Sequence, residues 1–180
     1  MVKCLFVNNF GHGFVLGFPG FGVLMVQSKL QAELKKTRPF ESPEEELTLN
    51  ILRTADRINH RVSRLFREYS LTSSQYNILR ILRGEGAPLP ILEIASRTVT
   101  VVPGITGLVD RLEAAGLVER KRCTVDRRVI YVGISQAGMA KLSTIDKPLA
   151  ALNKKLFTKL DREEIARLNI LLEKAREMAD

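Results

Sequence analysis

Few side chains in this 180-residue chain are suited to covalent or metal chemistry. The cysteines are Cys4 and Cys123, and the histidines are His12 and His60. They show no metal-ligand spacing, and residues 44–180 contain neither a phosphate-binding glycine loop nor paired carboxylates beside a nucleophile. No metal, cofactor or enzymatic activity is therefore expected. Cys123 follows Arg122, an electropositive setting that favours a thiolate, although an incidental strand residue is the plainer reading. His60 reads as a surface or hydrogen-bonded helix residue. The chemically suggestive cluster is cationic: Arg120, Lys121, Arg122, Arg127 and Arg128 accompany one acid, Asp126, between positions 120 and 128. Cations so placed suit a phosphate backbone.

The elements that must position these cations can be read from spacing. Ser42-Pro43 followed by Glu44, Glu45 and Glu46 is a helix start, with a capping hydroxyl, proline at the first position and acids at the positive dipole end. Leu47, Ile51, Ala55, Ile58, Val62, Leu65 and Tyr69 continue it as a long amphipathic helix. Arg53, Arg57, Arg61 and Arg64 lie on its other side and read as a solvated face; a phosphate- or partner-facing stripe is the alternative. Thr72 and Gln75 have capping-box spacing, and their helix stops at Gly84-Glu85-Gly86. A short helix, Ile91–Ser96, follows a proline-bracketed connector. A turn then leads to a helix near Val101–Ala115, with Thr100 as cap, Pro103 in the first turn and Gly116 as the stop. The period next changes to two: 117–122 and 129–134 predict a hairpin whose tip is 123–128. Ser135 caps a helix expected to bend near Pro148, and Asp161 caps a last one with Ile165, Leu168, Leu172, Ala175 and Met178 on one face.

Short helix, turn, helix and basic hairpin, in that order, make a winged helix-turn-helix. The fold class is thus mainly α with a small β-hairpin wing and further helices on either side of it. From Leu71-Thr72 with Gln75 and Leu79, through Ile94-Ala95, Ile105-Thr106, Leu108–Glu113, Gly116–Arg120 and Asp126-Arg127-Arg128, to Ile134-Ser135 with Gly138, the sequence resembles the MarR family of bacterial transcription regulators. The resemblance covers about residues 45–178. It implies a cytoplasmic, sequence-specific binder of double-stranded DNA. It further implies a ligand-responsive repressor that acts as a homodimer on a pseudo-palindromic operator. On this reading residues 70–134 form the DNA-binding module, while 44–69 and 135–180 dimerise. A winged-helix architectural or protein-interaction module with little sequence specificity is the rival.

Roles follow from that frame. Arg127 and Arg128 stand at the wing tip, where arginine can follow the negative potential of a narrow minor groove. The resemblance favours Arg128 as the groove residue, with Asp126 or Asp110 as its support. Arg120, Lys121 and Arg122 fit phosphate contacts. Arg111, late in the reading helix, is a DNA contact or an internal ion-pair partner. Thr98, Thr100 and Thr106 are candidates for phosphate or base-edge bonds. A small-molecule effector would lie between the DNA-binding module and the dimer helices, where Ile58, Phe66, Tyr69 and Tyr76 either line a pocket or simply pack as core. Positions 99–107 contain no Arg, Lys, Asn or Gln, the side chains that make bidentate bonds to guanine and adenine. Family members often carry a longer residue where Gly107 stands. Sequence reading is therefore expected to rest on the wing and on DNA shape.

Composition agrees without deciding. A hydrophobic fraction of 45% supports a buried core, and the formal charge of +8 suits nucleic acid or an anionic membrane alike. Two cysteines fit a reducing compartment. Residues 1–26 stand apart: Phe- and Gly-rich, with Lys3 as their one charge. No small-residue cleavage site follows their apolar stretch, which is also too broken for a membrane span. Gly11-His12-Gly13 followed by Gly17 lacks dinucleotide-loop spacing. Residues 1–43 are expected to be a poorly ordered extension and polar lead-in, or translation begins at Met25.

Overall fold

Capping side chains set where most helices begin. In the computed structural model, residues 28–99, 103–124, 126 and 128–177 are described. They belong to two compact units, one ending at Asp56 and one beginning at Arg57. The elements are α1 (Lys29–Glu33), α2 (Pro43–Glu68), α3 (Ser73–Glu85), β1 (Leu89–Pro90), α4 (Ile91–Ser96), α5 (Ile105–Ala114), β2 (Val118–Arg122), β3 (Ile130–Ile134), α6 (Gln136–Leu156) and α7 (Arg162–Arg176).

In the first unit, the expected lead-in contains a helix. Ser28 Oγ accepts the Gln31 N–H at 3.2 Å and starts α1, on which Leu30 and Gln31 are buried. Ser42 Oγ accepts the Glu45 N–H at 3.1 Å, as the sequence predicted for the start of α2. The Glu41 N–H donates to the Glu45 carboxylate at 2.6 Å, the main cause of that group's lowered pKa. Arg53, predicted to be solvated, lies 3.7 Å from Glu33 as an ion pair.

The second unit is built around α3. Thr72 and Gln75 form the full capping box at its start, and Gly86, with φ 72°, ends it in the left-handed region. Its Ile78, Leu79 and Leu82 are fully buried with Ile94 of α4, Val109 and Leu112 of α5, Val118 and Val132 of the sheet, and Leu142 and Ile145 of α6. Arg83 ties α3 to α6 through two bonds to Asp146, at 2.8 and 2.9 Å, and those bonds raise the guanidinium pKa.

The hairpin becomes a sheet of three strands in the order β1-β3-β2, all antiparallel. Val118 pairs with Ile134 and Arg122 with Ile130, while β1 adds Leu89 opposite Val132. The third strand was not expected, because Pro88 and Pro90 flank Leu89 and read as a connector. Ser135 joins wing to α6: its hydroxyl donates to the Gly116 carbonyl at 2.6 Å and accepts the Gly138 N–H at 3.0 Å. Gly138 permits this approach, since a Cβ there would lie 2.2 Å from the Leu117 carbonyl oxygen. Pro148 is accommodated inside α6. Asp161 and Glu164 form a second capping box for α7, on which no residue is buried.

Candidate nucleic-acid interface

The reading helix starts later than expected. Thr100, its predicted cap, lies outside the described residues, as do Arg127 at the wing tip, Cys4, His12 and Met178. The start of α5 is instead Gly104, whose φ of 68° puts it in the left-handed region. Its carbonyl accepts the Gly107 N–H at 3.0 Å and the Leu108 N–H at 3.4 Å. Pro103 therefore precedes the helix. Leu108, Val109 and Leu112 bury one side of α5, leaving Thr106, Asp110, Arg111 and Glu113 exposed.

Arg120 differs from the other described wing cations in being paired within the chain. It was assigned to phosphate, yet its guanidinium reaches back from β2 to α5. Nη1 donates to Asp110 at 2.5 Å and to Glu113 at 2.9 Å, and Nη2 donates to the Thr106 carbonyl at 3.2 Å. Only 20% of the side chain is exposed, and Nε is buried without a partner. One arginine thus bonds three successive turns of α5 and fixes the wing strand to the reading helix. Asp110 supports the wing through Arg120 and not through Arg128. Glu113 was missed as a partner. Its signal was present, because Asp110 and Glu113 stand three residues apart on one helix face.

The wing tip has its own support. Asp126 Oδ1 accepts the Arg128 backbone N–H at 2.9 Å, so it shapes the turn and does not hold the guanidinium. The Cys123 N–H donates to the Val129 carbonyl at 3.0 Å, and the Asp126 N–H approaches Cys123 Sγ at 3.5 Å. Cys123 is half-buried and has a structural place in the turn. Lys121, Arg122 and Arg128 are exposed. With Arg111 on α5, they form no ion pair among the described residues.

Before α5, side chains expected to be free are occupied. The Thr98 hydroxyl donates to the Ala95 carbonyl at 2.8 Å, closing α4. Arg97, not singled out by the sequence, bonds Glu85 at 2.5 Å and Glu93 at 2.8 Å, and both raise its pKa. Leu92 and Val99 are 82% and 77% exposed.

Of the four residues expected either to line an effector pocket or to pack as core, three belong to the core or touch it. Phe66 and Tyr76 stack with centroids 4.1 Å apart and rank among the buried core residues. Burial pushes the Tyr76 phenol above its ordinary pKa. Tyr69 packs against that core, and Ile58 is half-buried. A separate open groove of about 290 Å³ is lined by Arg61, Arg64, Leu65, Glu68, Leu152 and Lys155. Among the described residues no group of His, Cys, Asp and Glu could hold a metal ion. None of their helices is long and apolar enough to cross a membrane.

Reading helix, preceding short helix and basic hairpin together define a winged helix-turn-helix domain. The family model for the MarR family matches residues 71–130. A solved MarR transcription factor from Planctomyces limnophilus is 34% identical, with 75% of this chain and 98% of that one covered and a TM-score of 0.60. The homoprotocatechuate degradative operon repressor of Escherichia coli is 25% identical over 127 residues, 71% of this chain and 85% of the relative. Bordetella bronchiseptica BpsR, whose DNA binding is regulated by 6-hydroxynicotinic acid, shares the fold at 20% identity and a TM-score of 0.64, covering 73% of this chain and 99% of BpsR. The chain belongs to the MarR family and is a transcriptional regulator, not an enzyme.

Proposed function

We propose that the protein is a ligand-responsive repressor that binds a pseudo-palindromic operator as a homodimer in the cytoplasm. The observation that supports the reading is the Arg120 bond network, which ties the wing strand β2 to the helix α5. Lys121, Arg122 and Arg128 on the hairpin and Arg111 on the helix, which form no ion pair among the described residues, would contact DNA, together with Thr106. Phosphate contacts then set position, and Arg128 enters the minor groove. Arg127 and Thr100 are retained in this role on sequence grounds. Residues 70–134 are the DNA-binding module.

Dimerisation through 44–69 and 135–180 is supported by apolar exposure. Ile165, Leu168, Ile170 and Leu171 of α7 are 37–64% exposed, and Leu47, Ile51 and Leu52 of α2 are 37–60% exposed. Amphipathic helices owe most of their stability to burying such faces. Two-fold symmetry would set the reading helices about one turn of DNA apart. Effector response is proposed by likeness to BpsR, with no site assigned to Phe66 or Tyr76.

An architectural module is the second reading, favoured by the absence of long hydrogen-bonding side chains at the start of α5. Binding to DNA upstream of the protein's own gene, measured against random duplex over a salt series, separates the two. A repressor retains a preference of at least about a thousandfold for its own site. Equal affinity at every salt concentration would leave the architectural reading.

A further inference from the structure

In a helix-turn-helix, base edges are met by the leading residues of the second helix. Among the described residues of this chain, the polar side chains around that end are occupied, the exposed Thr106 hydroxyl excepted. Arg97 is bound to Glu85 and Glu93, the Thr98 hydroxyl to the Ala95 carbonyl, and Asp110 and Glu113 to Arg120. The acids that could accept from cytosine are thereby neutralised. Arg111, though unpaired, sits in the last turn of α5, where phosphate is within easier reach. What remains at the leading end among the described residues is apolar or small, apart from the Thr106 hydroxyl. Val99 is 77% exposed, Pro103 and Thr106 are exposed, and a Cβ on Gly107 would meet nothing within 4 Å.

We infer that Val99 and the start of α5 read DNA through thymine 5-methyl groups, met by the methyls of Val99 and of Thr106 beside the bare Gly107 backbone. Thymine alone among the bases presents a methyl in the major groove, and apolar contact is the way a side chain selects it. Gly107 contributes by absence: no side chain keeps the helix from the base edges. Operators of this protein carry thymines at the positions facing the start of α5, and guanine is not read there by hydrogen bonds. The inference rests on the DNA-binding reading proposed above.

The test uses the full-length protein and a duplex selected by it from a randomised pool. Each thymidine of the selected duplex is replaced in turn by deoxyuridine, which removes the methyl and keeps every hydrogen-bonding group. Affinity is expected to fall about fourfold for each contacted thymine, the effect of one buried methyl-sized group. Thr106→Ser, which deletes only a methyl from an exposed side chain, is expected to abolish the penalty at one position per half-site, and Val99→Ala at another. Replacing guanines by 7-deazaguanine is expected to leave affinity unchanged. A selected duplex that binds tightly but ignores deoxyuridine would overturn the inference and leave the regulator intact. So would a penalty that persists in full in both variants, or a 7-deazaguanine effect larger than the deoxyuridine one. Failure to select any sequence over the random pool would instead refute sequence-specific binding, and this inference with it.

Discussion

Replacing Arg120 by alanine separates a strut from a DNA contact. The side chain makes two charge-assisted bonds and one to a carbonyl, at 2.5, 2.9 and 3.2 Å. A hydrogen bond to a charged group is worth about 1.5–3 kcal/mol when well buried, and an exposed ion pair about 0.2–1 kcal/mol. Arg120 is 20% exposed, but Asp110 and Glu113 are 57% and 41% exposed, so solvent screens both carboxylates. A total of about 1–2 kcal/mol is therefore expected for Arg120→Ala. For a chain of this size that is a fall of roughly 3–6 °C in Tm. Urea unfolding of Arg120→Ala, Asp110→Ala and the double variant, at fixed protein concentration and without DNA, isolates the pair. A coupling of about 0.5 kcal/mol or more is predicted. Salt titration of DNA binding gives the contrast, because a phosphate contact would lower the slope by about one. Additive stabilities within about 0.3 kcal/mol, together with that fall in slope, would return Arg120 to the phosphate backbone.

Other perturbations have equally definite outcomes. Arg128→Ala is expected to weaken operator binding by about tenfold or more while affecting random duplex less, and an unchanged operator affinity would refute the minor-groove role. Gly138→Ala places a Cβ 2.2 Å from the Leu117 carbonyl oxygen, so α6 or the wing must shift. A loss of about 2 kcal/mol or more is expected in urea unfolding, and a neutral result would mean that the Ser135 junction is soft. The buried Tyr76 phenol has a raised pKa. Its folded form binds the proton more tightly than the unfolded chain does, so this stabilisation is complete below pH about 10 and is lost as pH rises through the folded value. Ultraviolet difference titration of the protein against Tyr76→Phe should assign to Tyr76 an ionisation above pH about 10, and a difference step at or below that pH would refute its burial.

Features that depend on neighbours in sequence were legible before the structure. The caps at Ser42, Thr72 with Gln75, Ser135 and Asp161 are local hydrogen bonds, and each begins a helix where the spacing placed it. The alternation in 118–122 and 130–134 likewise announced the hairpin. Short elements escaped: α1 has five residues and β1 two, too few to show a period. Strand β1 exists because β3 offers Val132 and Tyr131 as partners, a fact held at a distance in sequence. Gly104 could be read as a poor helix residue, but not as the left-handed start of α5. The site was legible as charge and not as pairing. Arg120 and Arg122 look alike along the chain, yet one is bonded inward across 7 to 14 residues and the other is exposed. Phe66 and Tyr76 show the same limit, since an aromatic that fills a core and one that lines a pocket have the same sequence signature.

On the proposed function, the wing and reading helix of each subunit bind a specific site as a two-fold pair. Hydroxyl-radical footprinting of the DNA upstream of the protein's own gene tests it most directly. Two protected half-sites are expected about one helical turn apart, related by a pseudo-palindrome, with protection in the flanking minor grooves that disappears in Arg128→Ala. Protection spread evenly along the fragment, or a single isolated half-site, would contradict it.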